Sequence, residues 1–223
     1  MDKLKLYIRT LDSNYKTMNI YITRHGETEW NTVKRMQGWG NSNLTQLGKM
    51  QAKALSDRLK NVKLDVIYCS PLGRACSTAE IIRGDKKVDI VKVEGLKEMG
   101  FGQWEGKTVD EIKKNKSYKE QLEYLYSEPF KYKPFGGESI VQMYERVKST
   151  LDKLINNSPF ENILIVTHGM TIQGIMHYFS KKVGVDIDNV IYGQTSLTYI
   201  KIDEDKYEML LNNDTTHYGK IAK

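Results

Sequence analysis

Short runs of β-branched and aromatic residues alternate with helix-period segments along most of the 223-residue chain, and that alternation narrows the fold more than any other property of the sequence. Residues 19–23 (NIYIT) read as a strand that empties into the polar cluster Arg24-His25-Gly26-Glu27. From Thr45, TQLGKMQAKALSDRL sets Leu47, Met50, Ala54, Leu55 and Leu59 on one helical face, with Asn43 or Thr45 as its cap. A second strand at 65–69 (DVIYC) meets Ser70-Pro71, which offer a cap and a first-turn proline to the helix RACSTAEII. The same order recurs: VDIV at 88–91, a helix over 138–156, ENILIVTHG at 161–169, and a helix to about Lys182. Ile140, Met143, Tyr144, Val147, Leu151, Leu154 and Ile155 make 138–156 the best-patterned element, and segments 195–202 and 206–211 read as a ribbon closing one sheet edge. Such alternation predicts an α/β fold with a largely parallel sheet.

Two stretches break the pattern. Residues 107–135, rich in Lys and Tyr with a weak helical period, read as an insertion rather than core. Residues 1–17 precede Met18, a natural chain start. They read either as an added edge strand (LKLYIR) or as the product of an upstream start codon. The remainder, 18–223, is expected to be a single domain. With 39% hydrophobic and 28% charged residues the chain has a globular composition rather than a collagenous or disordered one. No apolar run approaches the roughly 18 residues of a membrane helix, and charges interrupt the amino-terminal hydrophobics, so a cytosolic protein without membrane contact is expected. The two cysteines, Cys69 and Cys76, would stay thiols there, and with four scattered histidines they provide no metal-ligand spacing. The net charge of +6 suits an anionic ligand but equally suits simple solvation of a lysine-rich surface.

The residues with chemical potential gather where strands end. Arg24-His25-Gly26 lies at the carboxyl end of a parallel strand, where α/β proteins place their ligands. The segment VTHG at 166–169 ends a second strand in the same dipeptide. If both strands are central, His25 and His168 converge on one pocket with helix amino termini behind them. Arg74, early in the helix after the second strand, points at the same rim. Glu98 in EMGFGQWEG sits beside Phe101 and Trp104, and desolvation by aromatics raises the proton affinity that a general acid needs. Each feature alone has a bland reading: a loop histidine, a surface arginine, a solvated glutamate.

Together and in this order, RHGETEWN at 24–31, QGWGNSNLTQLGKMQAKAL at 37–55, SPLGRACSTAE at 70–80, EMGFGQWEG at 98–106, GGES at 136–139 and VTHG at 166–169 resemble the histidine phosphatase superfamily, in its phosphoglycerate mutase-like branch. The resemblance implies a three-layer α/β sandwich with a mostly parallel central sheet and a helical lid at 107–135. It implies phosphoryl transfer through a phosphohistidine, with His25 as nucleophile and Glu98 as proton donor. Arg24, Asn31, Arg74 and His168 would hold the phosphoryl oxygens, and Gln37, Gly38 and Gly169 would meet the rest of the substrate. Glu27, Thr28 and Trp30 would serve support and packing. No metal and no cofactor is implied, because the cationic side chains balance the phosphoryl charge.

Within the family, the cofactor-dependent mutases carry a longer insertion with paired arginines and a Gly-Leu-Asn-Lys stretch. Here FGQWEGKT leads to YKPFGGES with neither. The chain is closer to the broad phosphatase branch, which includes α-ribazole and phosphoserine phosphatases, and the expected activity is hydrolysis of small phosphomonoesters. The alternatives are a phosphoglycerate mutase and a catalytically silent binding relative, although none of His25, Glu98 and His168 is missing. A nucleic-acid partner is not expected, since the Tyr-Lys insertion is its only candidate surface.

Overall fold

The computed structural model describes residues 17–184 and 190–222, and the expectation for an amino-terminal edge strand falls outside them. Six strands form one sheet: β1 (Thr17–Arg24), β2 (Val66–Cys69), β3 (Asp89–Lys92), β4 (Asn162–Thr167), β5 (Leu197–Asp203) and β6 (Lys206–Asp214), in the order β3-β2-β4-β1-β5-β6. The first four run parallel, and the β5–β6 ribbon adds antiparallel to β1, closing that edge as its sequence suggested.

Alternation along the strands divides the core in two. On β4, Ile163 and Ile165 face one way and Leu164 and Val166 the other. The first face is covered by α6 (Ile140–Asn156) and α7 (Gly169–Val183), the second by α2 (Gln46–Arg58) and α3 (Gly73–Arg83). The result is the expected three-layer α/β arrangement, and among the described residues no helix is long and apolar enough to cross a membrane. Helix α6 buries Ile140, Met143, Val147, Leu151 and Ile155 along the stripe its spacing forecast, and Ser139 caps it reciprocally with Gln142.

Three local expectations are corrected. In α2 the buried face is Gly48, Gln51, Ala52, Leu55 and Ser56, whereas Leu47 and Met50 are exposed. Close approach decides this: a Cβ on Gly48 would collide with the Glu27 carbonyl, and one on Gly26 with the backbone of Gly48. The helix start therefore presses its smallest residues, rather than its most apolar ones, onto the loop carrying His25. Second, Ser70 and Pro71 do not cap α3. Leu72 is its cap residue and supplies no side-chain bond, while the Ser70 hydroxyl is used elsewhere. Third, 107–135 is not a surface addition. It folds into α4 (Val109–Lys113), α5 (Lys116–Ser127) and a short 3₁₀ turn, and it buries Ile112, Leu122, Leu125 and Tyr132 in the main core. Trp104 packs among Tyr118, Tyr132 and Phe135 there, so it is an anchor of this segment.

Candidate active site

Three neighbouring parallel strands deliver the site. Arg24 pairs in register with Thr167, and Cys69 with Val166, so the next residues, His25, His168 and Ser70, emerge side by side at one rim. The ladder continues one step past the strands, with the His25 N–H donating to the Thr167 carbonyl (2.9 Å) and the Ser70 N–H to that of Val166 (3.0 Å). The two imidazoles stand 5.2 Å apart between centroids, and His25 is only 2% exposed.

Hydrogen bonds assign the His25 tautomer. Its Nδ1 lies 2.7 Å from the Gly26 carbonyl, an acceptor only, so Nδ1 carries the proton. Nε2 then holds a lone pair, which accepts from the Arg74 Nε–H at 3.2 Å. Burial, followed by the Arg74 and Arg24 charges, holds the imidazole pKa well below 6.5, so His25 is neutral and able to attack. Arg74 is itself buried, donating from Nη1 to the Gly40 carbonyl and from Nη2 to that of Gly38. Burial pulls its pKa down to about 10.

His168 is also kept neutral by burial and by the neighbouring Arg74. Ser70 Oγ, which accepts the Leu72 N–H, lies 2.7 Å from His168 Nε2. A hydroxyl donating to Nε2 leaves the proton on Nδ1, a buried atom with no partner among the described residues. Arg24 Nε is a second such donor, while its Nη1 donates to the Tyr192 carbonyl at 2.9 Å. Buried donors left unpaired are costly. Two of them beside a buried arginine and a neutral histidine describe a seat for an anion.

The cavity at this rim, about 290 Å³, is lined by Arg24, His25, Asn31, Gln37, Gly38, Arg74, Glu98 and Gly169, with Met36, Phe101, Leu125, Tyr126, Met170 and Tyr192 further out. Every expected site residue except His168 therefore lines the cavity, and the His168 ring lies 5.2 Å from that of His25 between centroids. Asn31 Oδ1 accepts from the Thr28 N–H and hydroxyl, which commits its carbonyl end and turns the amide NH₂ into the group that can meet a ligand. Gln37 is braced at both ends, donating to Thr28 Oγ1 and accepting from Ser42. Glu98 Oε1 accepts the N–H groups of Met99 (2.9 Å) and of Thr171 (3.1 Å) at the start of α7, whereas among the described residues Oε2 has only the Met170 N–H, at 3.4 Å. The aromatic against this segment is Trp39, whose indole donates to the Glu98 carbonyl, rather than Trp104.

Several contributors were not read from the sequence. Ser70, which in sequence offers a helix cap, instead turns its hydroxyl to His168, and its place directly after a strand, like that of His25 and His168, is the available signal. Thr171 donates its hydroxyl to the Lys97 carbonyl, and Arg146, in a bidentate pair with Glu138, donates to the carbonyls of Gly95 and Lys97 (both 2.9 Å). These groups clamp the loop that carries Glu98, and nothing local in the sequence announces contacts across some fifty positions. Among the described residues no group of three or more His, Cys, Asp or Glu side chains is placed to share a metal ion.

The chain is similar to known proteins over most of its length. A sequence model of the family described as histidine phosphatase superfamily (branch 1) matches residues 20–215. Phosphoserine phosphatase 1 of Hydrogenobacter thermophilus is 32% identical over 207 residues, covering 92% of this chain and 96% of the relative. Among solved structures, Bacillus stearothermophilus YhfR superposes with a TM-score of 0.82 at 35% identity, covering 90% of this chain and 98% of its own. A phosphoserine phosphatase mutant from Entamoeba histolytica, in complex with phosphoserine, gives a TM-score of 0.72 at 30% identity, covering 90% and 98% of the two chains.

Proposed function

The chain belongs to the histidine phosphatase superfamily, branch 1, and from that premise we propose that it is a metal-independent hydrolase of small phosphomonoesters working through a phosphohistidine at His25. It is a phosphatase, as its similarity to the Hydrogenobacter phosphoserine phosphatase indicates. The observation that carries the finer reading is the His25 imidazole, neutral, with Nδ1 protonated and the Nε2 lone pair at the cavity.

The substrate phosphate takes the place prepared by the unpaired donors of Arg24 and His168, with Arg74 and the Asn31 amide completing the seat. Arg74 Nε–H leaves Nε2 for a phosphoryl oxygen. Nε2 attacks phosphorus, the ester P–O bond breaks, and Glu98 protonates the departing alkoxide. Water then attacks the phosphohistidine while Glu98 takes its proton, releasing phosphate and restoring His25. The guanidinium groups balance the charge that spreads over the phosphoryl oxygens in both steps. The 107–135 segment, which brings Leu125 and Tyr126 to the cavity, is the cover that limits access of water and substrate. A cytosolic setting, in which Cys69 and Cys76 would stay thiols, belongs to this reading.

The test is rapid quenching during turnover of ³²P-labelled substrate in EDTA. Label should appear on His25, stable to alkali and lost in acid, and should chase into phosphate. Turnover without labelled protein, or turnover abolished by EDTA, would overturn the mechanism.

A further inference from the structure

A second cavity, of about 740 Å³, opens beside the catalytic one and shares with it Leu125, Tyr126, Met170, Gln173 and Ile191. A molecule anchored by its phosphate at His25 can therefore continue into this groove, which runs between residues 125–131 and the flanks of α6 and α7. Its walls are rings. Tyr144 and His177 stack at 4.4 Å and 19°, and Phe130 meets Tyr144 edge-on at 6.0 Å. Tyr126, Phe130 and Ile191 are 60%, 67% and 82% exposed, so large apolar side chains crowd the mouth of a polar active site. Apolar surface grouped in this way marks a binding surface rather than scattered exposure.

The charges narrow the ligand. Glu98 and Glu128 are the acids among the described residues lining the two cavities, and Glu128 is paired with Lys131. Arg35, at the catalytic mouth, is anchored by one N–H donated from Nη1 to the Gly106 carbonyl. A compact zwitterionic leaving group would meet Met36, Phe101, Leu125 and Met170 together with Arg35, Gln37 and Gln173 in the catalytic cavity, and it is too short to use the rings of the second one. A planar, uncharged ring would instead find faces and edges to pack against.

Resting on the hydrolase reading above, we propose that the groove is a leaving-group site: the substrate is a phosphomonoester whose uncharged, extended leaving group ends in a planar aromatic ring seated against Phe130, Tyr144 and His177. Propyl and phenylpropyl phosphate test this, since their alcohols have closely similar acidity and differ in what they can bury. Phosphoserine is the charged comparison. Phenylpropyl phosphate should exceed propyl phosphate in kcat/KM by about tenfold or more, and Phe130→Ala should remove most of that advantage while leaving propyl phosphate unchanged. Equal kcat/KM for the two alkyl esters, phosphoserine preferred over both, or an equal loss on each ester in Phe130→Ala would overturn it. Calorimetry with the matching phosphonates reads the groove without turnover. Tighter binding of the phenylpropyl phosphonate, weakened in Phe130→Ala, supports the site even if no ester is hydrolysed, an outcome that would sink the hydrolase reading alone. Equal binding of the two phosphonates overturns the groove.

Discussion

The floor of the catalytic cavity and the 107–135 segment above it are built on opposite principles. The floor consists of polar and charged side chains, nearly all buried: His25, Arg74 and His168 are each at most 2% exposed. It holds its shape because backbone carbonyls at strand and loop ends, those of Gly26, Gly38, Gly40 and Tyr192, each take one nitrogen of His25, Arg74 or Arg24, while the Arg24 Nε and His168 Nδ1 donors stay unpaired among the described residues. The cover is held by apolar packing through Ile112, Leu122, Leu125 and Tyr132, with Tyr126 and Phe130 left outward. A buried polar lattice tolerates almost no substitution, because each lost partner strands another group. Apolar packing tolerates changes of shape. In the proposed mechanism, reaction chemistry therefore falls to the floor and substrate choice to the cover.

The sharpest way to break that division is His25→Ala, for which we expect kcat to fall at least about 10³-fold on every ester. Phosphate-release assays across compact and extended substrates would show it, and a loss confined to one substrate class would mean that His25 selects rather than reacts. Glu98→Gln comes next. It should cost alkyl esters about 10²- to 10⁴-fold, yet p-nitrophenyl phosphate much less, because that leaving group departs without a proton. Equal losses on both would take the proton-transfer role away from Glu98.

The same contrast explains how far the sequence could be read. The floor was legible because each of its residues sits next to a strand end or a helix start: Arg24-His25 after NIYIT, His168 after ENILIVT, Arg74 as the second residue of α3. Sheet register then brings them together without further information. The cover was less legible. Its α5 buries only Leu122 and Leu125 fully, with Tyr118 and Tyr124 partly covered, a short stripe diluted by the Lys, Glu and Tyr residues around it. The buried face of α2 departs from its hydrophobic pattern for a related reason. Backbone proximity at Gly48 chose the buried side, and a hydrophobic pattern carries no record of that. Arg146 was invisible because its meaning lies in carbonyls of a distant loop.

Arg146 also provides a finer test, since it belongs to neither region and positions Glu98 through the chain. Arg146→Lys keeps the charge and loses the bidentate fork. We expect about a tenfold fall in kcat for alkyl esters, with p-nitrophenyl phosphate nearly unaffected and KM unchanged. A uniform loss on both substrates would reduce Arg146 to a stability element. Leu122→Ala, in the cover, should lower stability by about 2–5 kcal/mol, raising KM for extended esters a few-fold while kcat on p-nitrophenyl phosphate holds. Urea unfolding and steady-state kinetics on the same preparation separate the two effects.

The smallest expected effect is on pH, and it too divides the regions. The pKa values of His25 and His168 lie well below 6.5 because both are buried beside arginines, and partial burial takes His217 down to about 4. In the unfolded chain these imidazoles take up protons near 6.5, so below that pH the unfolded state binds more protons than the folded one. Stability must then fall as the pH drops from 6.5 through the folded values, and it is flat above 6.5 as far as these groups are concerned. Urea midpoints at about pH 7.5 and about pH 5 should show the difference, and the NMR signals of His25 and His168 should not titrate between them. His168→Asn removes one of the neutral imidazoles and should shrink the acid loss, whereas Leu122→Ala should lower both midpoints alike. If Leu122→Ala instead altered the pH difference as much as His168→Asn did, the floor and the cover would share one electrostatic lattice, and their separation into chemistry and selection would fail.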